Sequence, residues 1–409
     1  MLTDWLRRRW RPAPPPAPPL SPLDFTAPDV VQDPYPYFAR LRREEPVHRG
    51  AGGAWLIARH ADVQAALADP RLGNAPAPYA VIAPRNRTRY LCAEVAGNTL
   101  PFIDGARHAA LRRTLAQAWA AQLRETPPDI DAHARRLWAA CPARGQFDLL
   151  HDFATPLAVT VIGEVLGVPV AAREALQADA RHFLYLFTAM PSHAVREATD
   201  AALGRLRHGF AHLLDGAAGP GLIRRLGGAA AQTLDREVLL DNLALLWADG
   251  IGNVDVGIAA AFAALLRHPE QWQALCAQPD LSPAAAGECL RFEAPAQFIG
   301  RVVQEDFDWH GQTLRRGQAV LLLLASANRD ENRFPAADRL DIRRPDTGAL
   351  SFGRGHHSCL GAALARGQLA AALQSAAERT PRLHLTQATV QWQVRPGHRW
   401  PHALPVTVP

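Results

Sequence analysis

From Asp129 to Leu226, and again from Asp235 to Arg291, alanine and leucine recur with Arg, Glu and Asp spaced between them as one face of a 3.6-residue period requires, so both stretches predict amphipathic or buried helices. Nearer the start, "AWLIARH" predicts a short strand and "ADVQAALADP" a helix stopped by Pro70. After Pro295 the pattern shortens. "QFIGRVVQEDFDWHGQTLRRGQAVLLLLASA" predicts a strand, a Gly-bearing turn and a second apolar strand, and "VQWQVRP" with "LPVTV" predicts a final hairpin. The tract "RPAPPPAPPLSP" suits neither a helix nor a sheet interior, so residues 1–30 are expected to form a disordered leader. Folding is expected from "DPYPYFARLRREEP" at Asp33. No repeat of fixed period and no later linker divides residues 31–409, which predicts one large domain, mainly α with small β-sheets.

Composition narrows the class. The 409 residues are 48% hydrophobic and 20% charged, enough for a substantial core. The net charge of +5 comes from arginine alone, without a single lysine, and the arginines are scattered instead of blocked, so nucleic-acid binding is not expected. Five widely spaced cysteines, Cys92, Cys141, Cys276, Cys289 and Cys359, contain no C-x-x-C pair. An odd set of this kind speaks against disulfides and structural zinc and for a reducing cytoplasm. No apolar run reaches the ~18 residues of a membrane span, and "MLTDWLRRRW" lacks the apolar segment of a signal peptide. A cytoplasmic protein without a membrane anchor is expected.

Candidate chemistry centres on "SFGRGHHSCLGAALARGQL", Ser351 to Leu369, where a Gly-punctuated loop carries Cys359 into a helical run. A thiolate is favoured at a helix N-terminus, where free N–H groups and the positive dipole end lie. Gly353, Gly355 and Gly361, without Cβ, would let the backbone lie against something broad and flat. The alternative is a buried cysteine capping a helix.

The order Phe352, Gly355, Cys359, Gly361 resembles the haem-binding loop of the cytochrome P450 family in its soluble bacterial form. The resemblance implies haem b, held between two central helices of a domain with a helix-rich and a smaller β-rich part. It implies that Cys359 is the proximal thiolate ligand of the iron and that Phe352, Gly353, Gly355, His357 and Gly361 form the loop around it. Thiolate ligation pushes electron density onto iron and favours O–O cleavage. Further matches follow in the family's order. In "ECLR", Glu288 and Arg291 share a helix face, and with Arg339 of "ANRDENRFPAADRLDI" they are implied to form the family's buried structural triad. His108 and Arg112 of "HAALRR", with Arg301 and His357, are implied to hold the haem propionates. "DPYPYFARLR" and "TVIGEVLGVP" extend the resemblance from about Asp33 to the C-terminus.

One departure matters. The family's oxygen-binding helix carries A-G-x-[Asp/Glu]-Thr, whereas "LLWADGIGNVDVG" places Gly250 on the motif glycine, Gly252 at the acid and Asn253 at the threonine. The acid–alcohol pair that delivers protons is absent, so Gly252, Asn253 and Asp249 become the candidate catalytic positions. Asp249, four residues before Asn253 and on the same face, is a candidate substitute acid or else a solvated or kink-stabilising carboxylate. Gly250 and Gly252 each cost roughly 1 kcal/mol relative to alanine in a helix, which points to a kink or a close approach there. Family geometry puts substrate against Trp247, Ala248, Ile251, Phe298 and Ile299, the loop Tyr79–Thr99 and "RHFLYLFTAM", an apolar set.

No G-x-G-x-x-G follows a strand and no iron–sulfur cysteine set is present, so electrons are expected from a ferredoxin and a ferredoxin reductase, steered by Arg112, Arg113, Arg354 and Arg366. The expected function is a haem-thiolate monooxygenase that uses O2 on a small or medium apolar metabolite of bacterial secondary metabolism, free or carrier-tethered. Two other readings stand beside it. One is peroxide-driven oxidation, coupling, desaturation or rearrangement, in which the relay is dispensable; the other is a non-catalytic haem-binding scaffold or activator.

Overall fold

The computed structural model describes residues 23–409 apart from 51, 76–81, 189–191, 230–233 and 346–347. Most of the expected leader thus lies outside the described residues. Its last part does not behave as a leader: Leu23 is buried and Pro28–Gln32 form a helical turn, so packing begins before residue 31.

Helices carry the architecture. Those that matter below are α1 (Tyr35–Glu44), α2 (Gly105–Glu125), α3 (Ile130–Ala140), α4 (Thr155–Leu166), α5 (Val170–Phe183), α6 (His193–His212), α7 (Arg236–Gly252), α8 (Val254–Leu266), α9 (Ser282–Phe292) and α10 (Ala362–Arg379). Their ends follow local chemistry. Asp129 caps α3 by accepting from the Ala132 N–H, and Pro156 opens α4 where no N–H is needed. Gly167 closes α4 at φ 80°, and the backbone of Gly221 runs directly against it, leaving no room for a side chain.

The centre of the molecule is α8, buried from Val254 to Leu265 with no polar face, the mark of a core helix. Phe262 of α8 stacks on Trp138 of α3 with ring centroids 5.7 Å apart, and Trp138 meets Phe153 edge-on at 4.7 Å. Two helical stretches, Leu149–Leu166 and Arg236–Leu266, are long and apolar enough to cross a membrane, contrary to expectation, but most of each apolar segment is buried inside this core.

The strands are β1 (Val47–Arg49), β2 (Trp55–Ile57), β3 (Leu72–Gly73), β4 (Gly145–Asp148), β5 (Ile299–Val303), β6 (Phe307–Trp309), β7 (Gln312–Leu314), β8 (Ala319–Leu322), β9 (His384–Leu385) and β10 (Pro405–Val408). Five of them form a mixed sheet in the order β1-β2-β8-β5-β3, with β2 and β8 parallel. β6 and β7 form a hairpin between β5 and β8, turned by His310 and Gly311, both at positive φ. The final hairpin differs from expectation. "VQWQVRP" does not pair with "LPVTV": Trp392 bridges Pro401, whereas β10 pairs with β4 and β9. Pro396 and Pro401 lack the N–H a longer ladder would use.

Candidate functional site

A cavity of about 330 Å³ separates the α7–α8 junction from the loop before α10. Cys359 is exposed, yet the surface it presents is the wall of this cavity. Its N–H donates to Phe352 O over 2.9 Å and closes the loop, while left-handed φ angles of 64° at Gly353 and 77° at Gly355 make the turn. Cys359 stands just ahead of the α10 N-terminus, and the Gly361 N–H hydrogen-bonds its sulfur. Burial, and then the charge of Asp249 across the cavity, push the thiol up to about 12 against the pull of Gly361 N–H, Arg112 and Arg366. A metal cation at the sulfur reverses that balance outright. Nothing lies within 4 Å of where a Cβ would stand at Gly353 or Gly361, so both leave the cavity wall open. Gly355 does not line the cavity; a Cβ there would come within 3.1 Å of Leu67 O, so its role is packing.

The rim of the cavity gathers cations. His108 and Arg112 of α2, Arg301 of β5 and His357 all line it. The His108 and His357 rings stack with centroids 4.0 Å apart. Asp104 orders the group: its Oδ1 accepts from His357 Nε2 at 2.9 Å, and its Oδ2 accepts from the N–H groups of Asn74 and Ala75 at 2.6 and 2.8 Å. Burial works to raise this carboxyl, but His357 and the two amides outweigh it and hold it at about 2. Asp104 is the only carboxylate hydrogen-bonded to the rim among the described residues. Burial, with His357, His356 and Arg112, pushes His108 down to about 4, and its Nε2 is enclosed without a partner. Burial likewise pushes Arg301 down to about 10, and its Nη1 reaches nothing better than Gly300 O at 2.9 Å. Such a rim is short of anions.

The opposite wall is built from one face of α7 and the break after it. Leu245, Leu246, Asp249, Gly250, Asn253 and Val254 line the cavity, the set that a helical period of three to four brings together. Trp247, Ala248 and Ile251, expected at the substrate, lie on the other face and are core; Trp247 meets Phe210 edge-on. Gly252 also faces away, against Leu184 and Trp400, so it cannot act on anything in the cavity. Gly250 is where Ile162 of α4 comes closest, within 2.7 Å of a hypothetical Cβ. The helix is interrupted there: α7 ends at Gly252, α8 starts at Val254, and Asn253 between them keeps right-handed backbone angles of φ −99° and ψ −23°. Asn253 Nδ2 donates to Asp249 Oδ1 at 2.6 Å, while Asn253 Oδ1 is enclosed without a partner. Burial raises the Asp249 carboxyl, with the Asn253 amide pulling the other way. Asp255 is no rival: it is fully buried away from the cavity, accepting from Thr155 Oγ1 at 2.8 Å and from Arg181 Nη2 at 2.6 Å.

Phe298 and Ile299 line the cavity as expected, and from "RHFLYLFTAM" Phe187 does, its ring 5.1 Å from Phe102. Tyr79, Ala189 and Met190 lie outside the described residues. The described part of Tyr79–Thr99 does not line the cavity, but Leu100, Pro101 and Phe102 immediately after it do.

The buried triad also needs correction. Arg291 grips Glu288 with two hydrogen bonds of 2.7 and 2.8 Å, but the second arginine on that carboxylate is Arg344, at 3.2 Å. Arg339 is exposed and contributes its carbonyl oxygen, which accepts from Arg291. Asn328 ties this network to the loop: its carbonyl accepts from Arg291, its Oδ1 from the Leu350 N–H, and its Nδ2 donates to Ser351 Oγ. Asp104 and Arg344 both escaped the sequence reading. Asp104 holds the N-cap position of α2, a visible signal, but its carboxylate is spent on the rim instead of the helix.

A thiol at the cavity floor, an open glycine edge beside it and a rim of cations lacking anions fit a haem, whose two propionates would answer the rim. The family model for cytochrome P450 matches residues 280–378. The chain is 34% identical to 20-oxo-5-O-mycaminosyltylactone 23-monooxygenase of Streptomyces fradiae over 85% of this chain and 83% of that one. It is 31% identical to the biotin biosynthesis cytochrome P450 of Bacillus subtilis (strain 168) over 93% and 97%. The solved structure of CalO2 superposes with a TM-score of 0.88 at 31% identity, covering 95% of this chain and 99% of that one. That of P450BioI in complex with hexadec-9Z-enoic acid ligated acyl carrier protein superposes with a TM-score of 0.83 at 28% identity over 93% and 99%. The chain belongs to the cytochrome P450 family, and its enzyme class is that of a P450-type monooxygenase.

Proposed function

We propose that the chain is a cytoplasmic haem b monooxygenase of bacterial secondary metabolism, with Cys359 as the thiolate ligand and an apolar metabolite as substrate. The observation that carries this reading is the pairing across one cavity of Cys359 with Asp249 and Asn253, above a rim whose cations await two carboxylates. When bound, a thiolate-ligated haem supplies the activation of O2 and the transfer of one oxygen atom. The residues around it do the rest. His108, Arg112, Arg301 and His357 hold the propionates, with Asp104 fixing the orientation of His357. Phe102, Phe187, Leu245, Phe298 and Ile299 exclude water and hold the substrate by shape. Asp249, protonated more readily than an ordinary carboxyl because it is buried, supplies the proton that the family's acid–alcohol pair would deliver, and Asn253 positions it through their 2.6 Å hydrogen bond.

Electrons come from an external ferredoxin and its reductase in this reading. Arg113, Arg354 and Arg366 are exposed beside the cysteine loop, Arg366 stacked on Phe352 at 4.6 Å, while Arg112 is half-buried at Ser358 and belongs to the rim. The acyl carrier protein bound to P450BioI makes a carrier-tethered substrate a second option here. The lack of a hydroxyl at Asn253 favours one alternative chemistry, oxidation driven by peroxide without the relay.

The decisive experiment is the spectrum of the reduced protein under carbon monoxide. The family's red-shifted band is expected, and it should vanish in Cys359→Ser. A band typical of histidine-ligated haem overturns the assignment. Product formed with peroxide alone, but not with a ferredoxin chain, selects the alternative chemistry.

A further inference from the structure

A small cavity of about 30 Å³, lined by Gln297, Trp392, Arg395 and His398 among others, shares His398 with the large one. Four of these side chains bring enclosed polar atoms that have no partner: Gln297 Oε1, Trp392 Nε1, Nε and Nη2 of Arg395, and His398 Nδ1. Buried polar groups are ordinarily paired, so four orphans around one small space point to something that fills it. Three of the four side chains are donors, and the strongest is Arg395.

Arg395 is only 8% exposed. Its guanidinium lies 4.3 Å from the ring centroids of both Tyr185 and Trp400, which cushions the charge without neutralising it. No carboxylate forms an ion pair with it among the described residues. The other cations nearby already have their acids: Arg181 is committed to Asp255 at 2.6 Å, and Arg399, which also lines the small cavity, to Glu293. Arg395 has a hydrogen bond with the Tyr185 side chain but no carboxylate to answer its charge, and its Nε and Nη2 are left over; a ligand anion would satisfy both. His398 adds the link to the pocket. It lines both cavities, so a group seated against Arg395 lies one imidazole away from the space above Cys359. Burial, and then the charge of Arg395, push His398 down to about 3, which keeps it a neutral hydrogen-bonding group beside an anion.

We propose that Arg395 and His398 form a subsite for the carboxylate of the substrate, whose apolar body fills the large cavity. The substrate class is therefore an apolar carboxylic acid bound free, since a carrier thioester has no carboxylate to offer. The proposal rests on reading the large cavity as the substrate pocket. Arg395 offers two N–H donors to the carboxylate oxygens in the planar arrangement that suits them.

The test is calorimetric titration of the haem-loaded protein with dodecanoate, dodecanol, methyl dodecanoate and acetate. Dodecanoate should bind at least about tenfold more tightly than either neutral analogue, a factor worth 1.4 kcal/mol. Arg395→Gln should abolish that preference and leave dodecanol affinity unchanged, while Arg395→Lys, which keeps the charge and guards against a folding defect, should retain part of it. Dodecanoate that binds no better than dodecanol, or not at all, overturns the proposal. So does acetate that saturates an Arg395-dependent site without displacing dodecanoate, which would make the chamber a structural anion site. An intact carbon monoxide band in these same samples separates failure of the subsite from failure of the haem reading.

Discussion

At Asn253 an amide stands where the family carries a hydroxyl, and one hydrogen bond defines what it can do. One N–H of its Nδ2 donates to Asp249, and its Oδ1 is an enclosed acceptor without a partner, so what it can offer elsewhere is amide hydrogen bonding and no acidic proton. Asn253 therefore orients an acid and cannot be one. Replacing Asp249 by Asn keeps the shape and removes the proton, and a positioned general acid is worth about 10²–10⁴ in rate. Asp249→Asn should lower product formed per NAD(P)H by at least tenfold, with the lost electrons appearing as hydrogen peroxide; unchanged coupling would show that Asp249 is a structural carboxylate. Asn253→Thr restores a hydroxyl at the break and should raise coupling over the wild type, measured as the same product-to-peroxide ratio. Asn253 was marked by its place in the family's motif, and Asp249 then followed because i and i+4 share a helix face. It misassigned Trp247, Ala248 and Ile251 because a rotation of one residue about α7 exchanges cavity for core, and an apolar helix that is buried all round carries no polar face to fix its phase.

Single helices and loops are positioned by a few charged ties that propensity does not encode. The loop bearing Cys359 hangs on Asn328, and Asn328 on Arg291, Glu288 and Arg344. Glu288 and Arg344 have side chains only 2% and 10% exposed, so removing Arg344 leaves a buried carboxylate with one charged partner fewer. Arg344→Ala should destabilise the protein by about 2 kcal/mol in urea unfolding, the value of a hydrogen bond to a charged group. Arg339→Ala should stay within ~0.5 kcal/mol, because an exposed side chain is lost and the carbonyl remains. Equal effects would restore Arg339 to the triad. In sequence, "DRLDIRR" offers three arginines within seven residues, and only the path of the loop decides which turns inward. The E-x-x-R spacing, by contrast, was legible because a helix fixes it. The turn at Gly311 was legible too, but one strand was expected on each side of it where the structure has two, β5 and β6 before and β7 and β8 after, and the pairing of β10 with β4 joins residues far apart in the chain and leaves no local trace.

Over the whole molecule, the fold class was readable because helical periodicity persists through most of the chain and the motifs keep one order. The electrostatic state of the interior was not, since burial sets it. His398 shows the consequence for stability. Its ordinary value is 6.5, and burial together with Arg395 pushes it down to about 3 in the folded protein. A depressed histidine binds its proton more readily when unfolded, so the unfolded state gains protons first as the pH falls. The stabilising contribution of neutral His398 is complete above pH 6.5 and is lost progressively as the pH falls toward about 3. Asp104 acts in a lower window, its contribution present above its ordinary 3.8 and lost as the pH approaches about 2. Unfolding free energy measured from pH 7 to pH 4 should therefore fall by up to several kcal/mol more in the wild type than in His398→Asn, which cannot titrate. The curve of the variant should be flatter across that range even where its stability at pH 7 is lower. Parallel curves would mean that His398 binds its proton as readily in the fold as in the unfolded chain, and that neither burial nor Arg395 depresses it.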